Sequence, residues 1–211
     1  VYKRQVLDEH PVSIQVNGQW QTFPNAKAAE EASYEEYKAN LRRNAKNFRI
    51  TDEHLGEGGP KAKFQANVNA IRLLKELEAA GQQASPEQQE VLSRYVGWGG
   101  LSDAFDPEKP AWALEYAQLK ELLTPEEYAA ARSSTLNAHY TSPTVIQAIY
   151  EAVDRMGFET GNILEPSMGV GNFFGMLPEK MRNSRLYGVE LDPVSGRIAK
   201  QLYPKADITV G

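Results

Sequence analysis

The apolar positions of the chain follow three rhythms in turn. Val12-Ser-Ile-Gln-Val16 and Gln19-Trp-Gln-Thr-Phe23 alternate apolar with polar, and Asn17-Gly18 between them is a two-residue turn signal, so a β-hairpin is predicted. A helix follows from about Ala26 to Arg43, and Gly56-Glu-Gly-Gly-Pro60 then interrupts the chain as a linker. From Lys61 to Arg132 the period becomes helical. Phe64, Val68, Ile71, Leu74 and Leu77 share one face, and Gly81 provides a stop. Ser85-Pro-Glu-Gln88 and Thr124-Pro-Glu-Glu127 each carry the capping-box signature with proline at the first helical position. The first opens a helix with Val91, Leu92, Tyr95 and Val96. Gly97-Trp-Gly-Gly-Leu101 separates it from a helix bearing Trp112, Leu119 and Leu122.

From Asn137 onward helices and strands alternate. Ser142-Pro143 opens a helix with Val145, Ile146, Ile149, Tyr150 and Val153 predicted inward, ended by Gly157. Strands are predicted at Asn162 to Glu165, Leu186 to Glu190 and Asp207 to Val210, with helices at Phe173 to Leu177 and Pro193 to Leu202. Such alternation implies an α/β fold with a parallel sheet and helices on its faces. The expected organisation is a hairpin-and-helix segment over 1–60, a mainly helical subdomain over 61–135, and the sheet from 136 to 211.

Composition adds limits to this picture. Hydrophobic residues make up 41% of the 211 and charged residues 24%. The mean hydropathy is -0.52, and no apolar run suits a membrane span. Val1-Tyr-Lys-Arg-Gln5 carries no signal-peptide core, and the absence of cysteine excludes disulfides and thiolate metal sites, so a cytoplasmic setting without membrane contact is expected. The net charge of -5 leaves nucleic-acid contact to local patches, of which Leu41-Arg-Arg-Asn-Ala-Lys-Asn-Phe-Arg49 is the densest. Val1 at the start and Gly211 directly after a strand read as cuts through a longer protein.

The chemistry concentrates in Asn162-Ile-Leu-Glu-Pro-Ser-Met-Gly-Val-Gly-Asn-Phe-Phe174. A strand runs into a glycine turn, where Gly169 and Gly171 let backbone approach a ligand, and the next helix start favours an anionic or polar group. In a dinucleotide site a glycine follows the strand almost at once. Here Glu165-Pro166-Ser167-Met168 intervene, and an acid at that place suits an amino group and repels a pyrophosphate. Glu190 ends the next strand, where a carboxylate can accept two ribose hydroxyls, with Leu191 beside it as an apolar platform for adenine. Glu190 alone does not separate a nicotinamide cofactor from S-adenosyl-L-methionine. Glu165-Pro166 favours the latter.

Ala138-His-Tyr-Thr-Ser-Pro143 lies just before the first helix of the sheet region. With it, the chain resembles the N6-adenine-specific amino-methyltransferases of DNA. Tyr140-Thr-Ser-Pro143 is similar to their Tyr-Thr-Pro-Pro-like segment, which closes over the methionine end of the cofactor, with Ser142 in place of the first proline. Leu164-Glu-Pro-Ser-Met-Gly-Val-Gly-Asn-Phe173 resembles their Asp/Glu-Pro-x-x-Gly-x-Gly-x-Phe motif, and Gly188-Val-Glu-Leu-Asp192 their second-strand motif. The resemblance covers residues 136–211. It implies the first part of a Rossmann-like methyltransferase sheet binding S-adenosyl-L-methionine through Tyr140, Thr141, Glu165, Pro166, Gly169, Gly171, Glu190 and Leu191.

Lys61-Ala-Lys-Phe-Gln-Ala-Asn67 and Tyr95-Val-Gly-Trp-Gly-Gly-Leu101 are similar to a stretch in large methyltransferase–helicase proteins of phages and conjugative elements, relatives of antirestriction factors. That resemblance implies DNA as partner and a linked helicase. The family's Asn/Asp-Pro-Pro-Phe/Tyr-like motif, which holds a flipped adenine, does not occur in the 211 residues, so no catalytic residue is assigned, and the fragment itself is expected to be inactive. Asn137 and Asn172 lie elsewhere and do not replace it. The expected function of the whole protein is adenine-N6 methylation. The alternative is a non-catalytic methyltransferase-like scaffold for DNA binding.

Overall fold

The computed structural model describes residues 10–52, 54–136, 138 and 140–211, without the side chains of 38 and 41–44. The Val1–Gln5 stretch, Asn137 and His139 lie outside the described residues, as do several side chains of the basic stretch. The chain forms two compact units, residues 1–45 and 46–211.

In the first unit, strands β1 (Val12–Val16) and β2 (Gln19–Phe23) pair antiparallel, with Val12 opposite Phe23 and Val16 opposite Gln19. Asn17 and Gly18 both have positive φ, 52° and 75°, as the tight turn of a right-twisted hairpin requires. Helix α1 (Ala26–Asn44) packs against this hairpin, opened by the Asn25 side chain, which accepts the Ala28 N–H at 2.9 Å.

The second unit begins with a stretch of no regular secondary structure over 46–50. Helix α2 (Pro60–Ala80) starts on proline and ends on Gly81 in the left-handed region, φ 62°. Its five apolar positions are all buried, Val68, Ile71 and Leu74 completely so. Helix α3 (Pro86–Ser93) carries the capping box between Ser85 and Gln88. It is shorter than the apolar pattern suggested, so Tyr95 and Val96 fall in the following turn, and Val91 is exposed. Trp98 is buried and packs edge-on against Phe64, Tyr95 and Phe105, which makes it a core anchor. Two short 3-10 turns lead to helices α4 (Ala113–Leu122) and α5 (Pro125–Ser134), the latter opened by the Thr124–Glu127 capping box.

Helix α6 (Pro143–Arg155) precedes the sheet. Ile146 and Tyr150 are buried as expected, but Val145 and Ile149 are 49% and 42% exposed. The correction has a packing cause: α6 meets chiefly the single turn α7 (Asn172–Gly175), so only one strip of its apolar stripe is covered. Strands β3 (Asn162–Glu165), β4 (Arg185–Glu190) and β5 (Asp207–Val210) form a parallel sheet in that order, with Glu165 level with Gly188 and Glu190 with Val210. Helix α8 (Pro193–Leu202) packs on β4 and β5 and also meets α2, α3 and α5. It is therefore buried on most sides, with Val194, Ile198, Ala199 and Leu202 almost wholly enclosed. No helix among the described residues is long and apolar enough to cross a membrane.

Candidate functional site

The site lies where β3 and β4 end. The turn after Glu165 reverses on Gly169 and Gly171, both in the left-handed region at φ 56° and 84°, where a side chain would be strained. Their neighbours differ. A Cβ on Gly169 would lie 3.0 Å from Tyr140 Cε1, on the cavity side, whereas one on Gly171 would lie 2.6 Å from Tyr203 Cε2, on the core side. Met168 N–H donates to Val189 O at 3.1 Å and ties the turn to β4. The helix expected over Phe173 to Leu177 is only the single turn α7. So short a helix contributes little dipole to the anionic or polar group expected at its start.

Two acids from neighbouring strands meet this turn in different states. Glu190 accepts the Gly169 N–H at 2.6 Å on Oε2 and the Asp192 N–H at 2.8 Å on Oε1. Glu165 Oε2 is buried with no hydrogen-bond partner, and burial together with the nearby Glu190 pushes its carboxyl up to about 8. Asp192 caps α8 through Oδ1, which accepts the Ser195 N–H at 2.7 Å, while its buried Oδ2 has no partner. Ser195 Oγ lies 3.3 Å from the Tyr140 hydroxyl, whose pKa is driven upward by burial.

These groups line one cavity of about 530 Å³. Six of the eight residues proposed from sequence face it: Tyr140, Thr141, Glu165, Gly169, Glu190 and Leu191. Leu191 is 82% exposed at its rim. Pro166 and Gly171 shape the turn from outside the lining. Sequence reading missed Asp192, Ser195, Asn172 and Phe173, although all four sit inside or beside the motifs it had found. It also missed Tyr95, Gly97 and the α5 residues Ala130, Ser133 and Ser134, which arrive from far along the chain.

Charge decides what this cavity can take. Among the described residues its lining holds three carboxylates and no Lys, Arg or His. No group of acids or histidines among the described residues is arranged to hold a metal ion. Glu165 and Asp192 each leave one buried oxygen without a partner, open to a hydrogen bond from a ligand. A larger cavity of about 690 Å³ lies between the 49–52 stretch and α6, but its charges are engaged. Arg49 donates to Leu177 O at 2.6 Å, Lys180 pairs with Asp154, and Asp52 with Arg94.

Comparison with known proteins gives two matches. Over 155 residues, 74% of this chain, it is 24% identical to "Defense against restriction protein B" of Escherichia phage P1. Over 43 residues, 20% of the chain, it is 46% identical to "Type II methyltransferase M.CvrRI" of Paramecium bursaria Chlorella virus XZ-6E. The matched stretches span 5% and 11% of those proteins. No family model and no solved structure matches the chain. It thus has a weak likeness to a phage antirestriction protein and a short likeness to a methyltransferase.

Proposed function

We propose that this chain is the S-adenosyl-L-methionine-binding part of a Rossmann-like methyltransferase, serving adenine-N6 methylation of DNA in the full-length protein. The observation that carries the reading is the acidic cavity at the ends of β3 and β4, which has no Lys, Arg or His among its described lining residues and two unpartnered carboxyl oxygens. Acidic groups with no cation among the described lining residues disfavour a pyrophosphate there. A ligand with an ammonium, a sulfonium and ribose hydroxyls finds acceptors for each donor.

Glu165 would take the ammonium on its free oxygen and would lose its proton in doing so. Glu190 keeps lone pairs on both oxygens after its two backbone bonds, enough to accept two ribose hydroxyls. Tyr140, packed against Gly169, and Thr141 would close a wall of the cavity over the ligand. The bound cofactor would supply an activated methyl group, and the residues present supply binding and alignment. No residue in this chain is assigned to the target base of DNA. The antirestriction and methyltransferase names of the two relatives fit a role in methylating mobile-element DNA.

Calorimetric titration of S-adenosyl-L-methionine into the chain, with NADH in parallel, tests this. Saturable binding of the former alone is expected, weakened roughly ten- to hundredfold in Glu165→Gln, the range for a charge-assisted hydrogen bond. Binding of NADH alone overturns it.

A further inference from the structure

One wall of the cavity belongs to neither the sheet nor its helices. Gly97 sits in the turn after α3 with φ +68°, and a Cβ there would lie 2.5 Å from Tyr140 Cε2. The Tyr140 ring is therefore gripped between two glycine backbones, Gly97 from the helical layer and Gly169 from the glycine turn. Neither position leaves room for a methyl group without moving the ring.

A side chain on α2 fastens the Val96–Gly97 backbone. Asn67 on α2 is completely buried, and its carboxamide donates from Nδ2 to Gly97 O at 2.6 Å and accepts the Val96 N–H on Oδ1 at 2.8 Å. It lies on the helix face that otherwise carries Phe64, Val68, Ile71 and Leu74. A buried amide on such a face is costly unless paired, and here both its ends are paired to the turn before Trp98. An apolar residue would pack as well there but would leave the Val96–Gly97 turn without its two bonds.

We propose that Asn67 is a positioning residue for the ligand cavity. Through Gly97 it sets the Tyr140 ring against Gly169 and so fixes the wall that meets the ligand. Asn67 itself lines no part of the cavity. The helical stretch thereby becomes a structural part of the binding site. The ligand half of this inference rests on the S-adenosyl-L-methionine reading above; the clamp itself does not.

Two measurements on the full chain test it. In the first, 3-fluorotyrosine is incorporated and the Tyr140 resonance is assigned with Tyr140→Phe. Asn67→Ala is expected to shift or broaden that resonance without ligand, and so is Gly97→Ala, which spares α2 should the first variant fold poorly. An unchanged resonance in a folded variant overturns the clamp. The second is a double-mutant cycle on S-adenosyl-L-methionine affinity. Each variant should weaken binding about tenfold when Tyr140 is present and less than about twofold in a Tyr140→Ala background, as coupled residues do. Equal losses in both backgrounds overturn the route through Tyr140. If the unaltered chain binds no S-adenosyl-L-methionine, the ligand reading fails, and the fluorine spectrum alone decides the clamp.

Discussion

Glu165 and Glu190 occupy equivalent places, each the last residue of a parallel strand, yet their surroundings set them apart. Glu190 is held by two backbone N–H groups, whereas Glu165 has a buried oxygen with no donor and faces a second acid. The folded Glu165 therefore keeps its proton to about 8, against an ordinary value of 4.5. Between those two values the folded state binds a proton that the unfolded chain has lost, so stability falls as pH rises through that window and levels off above it. Glu165→Gln removes the titrating group. The expected outcome is a thermal midpoint that drops from pH 5 to pH 8.5 in the unaltered chain and drops less in the variant, read by circular dichroism. These two acids were legible in the sequence because strand, turn and acid are neighbours along the chain. Asn67 and Gly97 were not, because only the folding of α2 against the turn after α3 gives an asparagine on an apolar stripe its two partners.

At the scale of elements, the capping boxes are where local sequence and structure agree most closely. Thr124 Oγ1 accepts the Glu127 N–H at 3.2 Å, and Glu127 Oε2 accepts the Thr124 N–H at 3.0 Å. The same Glu127, 4% exposed, also receives Lys75 from α2 at 2.7 Å and Arg197 from α8 at 2.8 Å. Thr124→Ala should cost about 1 kcal/mol, the usual worth of a lost N-cap. Glu127→Ala should cost more, since Lys75 loses its carboxylate and Arg197 keeps only Glu78. Chemical denaturation of both variants checks the order; equal costs would mean that the ion pairs contribute nothing. The sequence showed the cap but could not show the second task of Glu127, which needs three helices to converge. The same gap explains α6, whose stripe was read correctly as amphipathic although nothing in its own residues said how little would cover it.

For the second unit as a whole, the question is whether the sheet region can stand without the helices that precede it. The last two carbonyls of its central helix, α8, are met by residues from earlier in the chain. Gln201 O accepts from the Gln83 and Gln89 side chains at 2.8 and 3.0 Å, and Leu202 O from the Phe48 N–H at 2.8 Å. Ile50 N–H likewise donates to Gly175 O at 3.0 Å, next to the glycine turn. Helix ends need such partners, and here residues 46–89 supply them. The apolar core runs without a break from Phe64 and Leu92 to Ile198 and Ile208. Residues 46–211 should therefore unfold in one cooperative transition, while a 136–211 fragment should show none, because it lacks both the caps and half the core. Denaturant titration followed by circular dichroism on the two fragments separates the cases. A cooperative transition in 136–211 alone would mean that the helical layer is an accessory to the cavity and not a part of its fold.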